Sequence, residues 1–219
     1  MKLIKPYRFM PKETIECRAV DVLMRVQAKR KRPLKWPIDA GHVAEALGLD
    51  MDCGDIPRDE QGAIAAMILP TEGKIVMNEN NQELPKGFEE SSIAHEIGHW
   101  ELHIDQNAVS NFVELRDCGT ETTVEPFLCR NVSSQKGIEW QAQYFAGCLL
   151  MPQFKLEDVR RGRDLTNWRH LYAMKDELGV TISNLSNRLQ DLSWIYIPKG
   201  SKQIYPGKAA HSREKQAFG

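Results

Sequence analysis

Two histidines four residues apart, in the run Ile93-Ala94-His95-Glu96-Ile97-Gly98-His99, restrict the folds open to this chain more than any other feature. Four residues advance a helix by slightly more than one turn, so a helix here sets both imidazoles on one face. The flanking Ile93, Ala94 and Ile97 are apolar, which requires the same helix to be partly buried. A buried His-Glu-His set without partners is costly. Offering both imidazoles to one metal at about 2.0–2.1 Å removes that cost and fills two corners of a zinc tetrahedron. Glu96, next to the first imidazole, can then accept a proton from an attacking water. Gly98 leaves the surface beside His99 bare, so another element can approach closely.

A catalytic zinc needs a third protein ligand and an open position. A glycine turn followed by a third histidine would supply one, but Leu102 and Asp105 stand at those places. Without the glycine the helix is expected to continue and carry Asp105 away. His103 is eight residues beyond His95, roughly 12 Å along a helix at ~1.5 Å per residue, too far for one shared ion. It is left as a candidate for the shell behind the ligands. Glu139, near the start of IEWQAQYFAGCLLMP, is the best-placed third ligand. It shares a helical face with Ala142 and Ala146, whose small side chains let two helices come together.

The rest of the pattern describes an α+β domain. After Pro11, Ile15, Ala19, Val22, Leu23 and Val26 recur at helical spacing and run into the basic cluster Lys29, Arg30, Lys31, Arg32 and Lys35. A short helix follows Pro37, with Ile38, Val43, Ala44 and Leu47 inward and Gly48 as its stop. AIAAMILP and KIVMN are short apolar runs joined by Thr71-Glu72-Gly73, a hairpin pattern. FEESSIAHEIGHWELH is helical and opens on Glu89 and Glu90, which suit the positive end of a helix. Residues 105–136 are polar and poorly periodic and are expected to form an irregular excursion with at most one strand pair. IEWQAQYFAGCLLM is a second strong helix, stopped by Pro152. A helical part over 153–197 ends in the strand-like WIYIP. One domain is expected over 1–198, with a flexible basic tail over 199–219.

Composition removes several alternatives. The formal net charge is −1, so nothing pulls the chain as a whole toward nucleic acid or acidic membranes. Five cysteines, with no Cys-x-x-Cys pair among them, suggest reduced thiols rather than a disulfide frame or a zinc finger. The first ten residues lack the apolar core of a secretion signal, and no apolar run approaches the ~20 residues of a membrane span. A cytoplasmic location with no membrane association is the expectation.

AHEIGHWELH followed by EWQAQYFAGCLLMP resembles the ImmA/IrrE-type metallopeptidase family, over about Thr14 to Ile197. That family pairs an Ala-His-Glu-x-Gly-His helix with a downstream Glu-x-x-Ala-(Asn/Asp)-x-Phe-Ala helix ending in Leu-Met-Pro. The short helix ending in Leu-Gly, the strand ending in Asn78 and VTISNLSNRL belong to the same likeness. The resemblance implies a zincin-like helical domain around a small sheet. It implies zinc held by His95, His99 and Glu139, with Glu96 as general base. It also implies an intracellular endopeptidase that cuts a helix-turn-helix repressor or antitoxin. Two positions depart from the family: Glu90-Ser91 stands where Arg-Phe is common, and Gln143 where the family has Asn or Asp. A residue at the latter position can orient a ligating histidine, and a glutamine carbonyl still can, on a longer arm.

Two further readings compete with these. VTISNLSNRLQDLSWIYI is similar to the second helix and wing of a winged helix-turn-helix, with Arg160, Arg161, Arg163 and Arg169 upstream. Fold analogy is a weak warrant, so a packing helix is favoured and direct nucleic-acid binding disfavoured. The rival to an enzyme is a regulatory protein that needs zinc for its fold and binds a repressor or DNA without proteolysis. For an enzyme, the Lys74 to Asn78 strand is expected to hold an extended substrate as an added strand. His103, Tyr144, His170 and Tyr172 are the candidates for stabilising an oxyanion.

Overall fold

The computed structural model describes residues 3–57, 64–79, 87–119 and 135–207. Its helices are α1 (Lys12–Ala28), α2 (Ala40–Ala46), α3 (Phe88–Leu102), α4 (Gln106–Asp117), α5 (Gln135–Leu150), α6 (Gln153–Val159), α7 (Trp168–Leu178) and α8 (Ile182–Asp191). The strands are β1 (Asp50–Gly54), β2 (Ala66–Leu69), β3 (Lys74–Asn78), β4 (Ile195–Tyr196) and β5 (Tyr205–Pro206). The architecture is α+β, zincin-like, with helices packed on a three-stranded sheet of order β1-β3-β2.

The expected apolar stripes are the ones buried. Ile15, Ala19, Val22, Leu23 and Val26 turn the inner face of α1 into the core, and Ile38, Val43 and Ala44 do the same around α2. Gly48, at a φ of 83°, ends that segment in the left-handed region that favours glycine. The hairpin forms as predicted: β2 runs antiparallel to β3, and Gly73 closes the turn at a φ of 61°. α3 and α5, the two helices of the motifs, lie against one another in the centre of the molecule. A Cβ placed on Gly98 would stand 3.0 Å from the Ala142 carbonyl oxygen, 3.1 Å from Ala142 Cα and 3.2 Å from Phe145 Cδ1. The glycine and the alanine therefore set how closely the two axes approach.

Several expectations are corrected. β3 is the central strand, paired with β1 in parallel as well as with β2, so it has no free edge for a substrate; the free edges belong to β1 and β2. β1 escaped the sequence reading because Asp50, Asp52 and Cys53 are exposed and break any alternation. α3 does not continue through Asp105. It ends at Leu102, Ile104 bridges to Ile4, and the Asp105 carboxylate caps α4 by accepting from the Asn107 and Ala108 amides. Residues 106–117 of the supposed excursion are thus a helix that buries Val109 and Phe112, while 120–134, including Cys129, lie outside the described residues. The stretch after residue 198 is packed at its start: β5 pairs with β4, Ile204 is buried, and the Gly207 amide donates to the Trp194 carbonyl. Residues 208–219 of the expected tail lie outside the described ones.

α8 is a packing helix. Its Arg188 is 2 % exposed and is fixed by Glu16 at 2.5 Å, the Tyr144 hydroxyl at 3.2 Å and the Met151 carbonyl at 3.2 Å. Upstream, Arg160 pairs with Glu157, Arg161 with Asp158 and Arg163 with Glu177, which neutralises much of the arginine patch. Among the described residues no helix is long and apolar enough to cross a membrane.

Gly98→Ala tests the helix contact. The added methyl meets backbone on α5, so the helices must move apart by a few tenths of an ångström, with an overpacking penalty of about 1–3 kcal/mol. Thermal unfolding is expected to shift downward, and an unchanged midpoint would contradict this account of the packing.

Candidate metal centre

α3 carries His95, Glu96 and His99 toward α5, and α5 answers with Glu139. The α3 side is ordered by burial: Ile93, Ala94 and Ile97 are each at most 4 % exposed, and His99 is fully buried with them. Glu90, in the first turn of α3, accepts from the Ala40 amide at 2.6 Å and so ties the helix to the start of α2. Ser91 accepts from the Asn184 side chain at 3.0 Å, tying the same turn to α8.

The ligand atoms converge. His95 Nε2 is 3.0 Å from His99 Nε2 and 3.1 Å from Glu139 Oε2, and His99 Nε2 is 3.5 Å from Glu139 Oε1. Corners of a tetrahedron around an ion at about 2.0–2.1 Å are separated by about 3.3 Å. The three side chains thus stand at the mutual spacing of a metal's ligands. Glu139 Oε1 is buried with no polar neighbour closer than His99 Nε2 at 3.5 Å, an acceptor that a cation would satisfy. These three form a group able to hold a metal ion, with two nitrogens and one carboxylate as its donors.

The electrostatics follow from the crowding. Burial works against a charge on Glu139, yet the hydrogen bonds and charges of His95 and His99 outweigh it and pull the carboxyl down to about 2. Burial likewise opposes a proton on His95, but Glu139 and Glu96 outweigh it and raise that imidazole above its ordinary value. Glu96 is 8 % exposed, and burial raises its carboxyl against the pull of both histidines and of a hydrogen bond from the Ile68 amide on β2. A bound cation would lower all three, adding to the shift of Glu139 and opposing those of His95 and Glu96.

Behind the ligands, His103 Nδ1 lies 3.1 Å from His99 Nδ1, and its Nε2 is 2.9 Å from Gln141 Oε1. His103 does not join the ligand group. Burial pushes its imidazole down to about 4, so the ring is neutral near pH 7. Gln143 is exposed on α5, with its side-chain carbonyl near enough to His95 to favour a proton there. Sequence reasoning passed over Gln141, which is fully buried next to Ala142. A polar residue inside an otherwise apolar helix face was the signal available.

The remaining oxyanion candidates point elsewhere. The Tyr144 hydroxyl is engaged by Arg188, His170 Nδ1 accepts from the Asp164 amide at 2.8 Å, and Tyr172 is 49 % exposed on α7. Four cysteines lie within the described residues and all are free thiols.

Two substitutions probe the centre. Glu139→Ala is expected to abolish tight, stoichiometric metal binding by removing one donor of three. Gln143→Leu is expected to weaken it roughly 10- to 100-fold, the usual effect of losing a ligand's outer partner, and Gln143→Asp to leave it equal or tighter. Competition with a chelator measures both. Parent-like affinity in Glu139→Ala would remove the carboxylate from the ligand set.

Comparison with known proteins gives three findings. No curated protein matches the chain. A solved Mycobacterium tuberculosis transcriptional regulator is 14% identical, with a TM-score of 0.49, over 83% of this chain and 52% of that one, so the chain spans about half of that protein's length. Residues 70–190 match a peptidase family described as the IrrE N-terminal-like domain. That match takes in β3, α3, α5 and α8 and more than half of the sequence, and the chain belongs to this family.

Proposed function

We propose that the protein is a zinc-dependent endopeptidase that hydrolyses a peptide bond in one or a few protein partners. One observation carries the reading. Structural zinc is closed by four protein ligands, whereas catalytic zinc keeps a position open. Among the described residues the convergent group has three members, with the carboxylate of Glu96 adjacent on the same helix. Zinc, when bound at His95, His99 and Glu139, would polarise the scissile carbonyl and make water acidic enough to react near neutral pH.

Glu96 accepts the proton of the attacking water and returns it to the leaving amine. The Ile68 amide on β2 lies near enough to the carboxylate to favour its charge. The outer edge of β2 therefore runs beside the base, and an extended substrate adds there as a further strand, not on β3. A cavity of about 420 Å³ lies between α5 and α8, lined by Ser91, Trp140, Gln143, Tyr144, Asn184 and Asn187 among others. It offers side-chain amides against a stacked Trp140–Tyr144 wall, a basis for selecting one substrate side chain. The partner class favoured by the family resemblance is a helix-turn-helix repressor or antitoxin, met in the cytoplasm.

Glu96→Gln separates this reading from a zinc-stabilised binding protein. The amide cannot take a proton, so cleavage of the partner is expected to fall at least about 100-fold, the usual worth of a general base. Zinc content should stay at the parent level. Equal regulatory activity in parent and Glu96→Gln would reject a proteolytic role. Purified protein is also expected to leave casein-like general substrates intact, since substrate fit restrains it. Rapid, chelator-sensitive digestion of casein would overturn that selectivity.

A further inference from the structure

We infer that the N-terminal segment belongs to the metal centre: the Arg8 carbonyl, Gln141 and His103 form a hydrogen-bond relay that fixes the proton of His99 on Nδ1 and so puts the ligating lone pair on Nε2. The inference rests on the metal-centre reading above. It concerns residues outside the ligand set, and Arg8 lies well before the segment matched to the family.

The relay has one allowed polarity. The Arg8 carbonyl can only accept, so the side-chain nitrogen of Gln141 must face it, and the two are 3.0 Å apart. That fixes the Gln141 amide, whose oxygen then faces His103 Nε2 at 2.9 Å and can only accept from it. A neutral imidazole with its proton on Nε2 has a bare Nδ1. His103 Nδ1 lies 3.1 Å from His99 Nδ1, so His99 must donate there. The neutral His99 ring then has its lone pair on Nε2, the nitrogen 3.0 Å from His95 Nε2 and 3.5 Å from Glu139 Oε1. With the buried His103 ring neutral, each step is a matter of donor and acceptor inventory.

Burial makes the relay stringent. Gln141 and His99 are fully buried and His103 is 5 % exposed, so water offers no alternative partners at these atoms. The segment that supplies the carbonyl is fastened in place. The Lys5 amide donates to the His103 carbonyl and the Asp105 amide to the Leu3 carbonyl, both at 2.8 Å, and Ile4 bridges Ile104. Tyr7 packs so tightly on Gly137 that a Cβ there would stand 2.4 Å from the phenol oxygen. The N-terminal residues thus grip the end of α3 and the start of α5 together, directly behind the ligands. His103 and Gln141 are positioning residues, acting on the metal through His99.

The test is a long-range proton–nitrogen correlation spectrum of the metal-free protein near neutral pH. His99 is expected as the Nδ1–H tautomer and His103 as the Nε2–H tautomer; His99 protonated on Nε2 would overturn the relay. Gln141→Leu and His103→Leu are expected to mix the His99 tautomers and weaken zinc roughly 10- to 100-fold by chelator competition. His103→Asn, which restores an acceptor near the Nδ1 position, should recover most of that loss. Both leucine variants binding zinc within a few-fold of the parent would also overturn it. The parent spectrum requires no substitution, so misfolding of a variant leaves the test standing. A parent that binds no zinc would fail the metal-centre reading instead, while its imidazole signals still decide the relay.

Discussion

The contact between Gly98 on α3 and Ala142 on α5 is the constraint on which the rest of the site depends. A helix pair separated by ordinary side chains lies 8–10 Å apart, axis to axis. Here the glycine and the alanine leave backbone facing backbone, with too little room for even a methyl group at 3.0–3.2 Å. Only this approach brings a carboxylate from one helix within 3.1 Å of an imidazole on the other. α1 and α8 hold the pair from outside. α1 lies along α5, and α8 is locked to both by the buried Arg188, its Glu16 partner and the Tyr144 hydroxyl. Breaking such a pair from one side leaves a buried charge uncompensated, at about 3–5 kcal/mol. The scaffold is therefore stiff where the metal donors are hung.

Stiffness has an electrostatic consequence. Glu96 and Glu139 are both drawn toward the two imidazoles, and neither carboxylate is free in solvent. The metal-free protein answers by favouring a proton on His95 and an ionised Glu139. A proton shared in this cluster does part of what a cation would do, balancing negative charge in a confined place. Metal binding exchanges one for the other, which is why affinity for such sites depends on pH and binding releases protons. The arrangement also keeps the donors converged before any ion arrives, so little reorganisation accompanies uptake.

The parts that were legible in the sequence share one property: their residues report burial directly. Ile15 to Val26, Ile38 to Ala44, the hairpin and both motif helices carry clear apolar periods, and much of the core consists of those residues. The elements that were missed are exposed or short. β1 displays two aspartates and is joined to β3 by the backbone ladder and the exposed Asp52–Lys74 ion pair. α4 buries two side chains, and its start is announced only by Asp105 acting as a cap. β5 is two residues long and owes its place to β4. Strand order was beyond reach as well, since nothing in Lys74 to Asn78 says whether one or two neighbours flank it. That single fact moved the substrate edge from β3 to β2.

The site shows the same division at finer scale. His95, Glu96 and His99 are spaced by the helix and could be placed on one face from sequence alone. Gln141 could not, because its function depends on a carbonyl more than a hundred residues away in the chain, at Arg8. A buried glutamine on a helix face shared with Ala142 and Phe145 reads as a misfit until its two partners are known. Satisfied at both ends, it becomes a reporter of polarity: one end must donate, so the other must accept. Misfits of this kind mark places where local preference yields to a tertiary requirement, and here the requirement sits two residues from Glu139 and one hydrogen bond from His103. The ligands define where an ion can go; the second layer decides which nitrogen meets it.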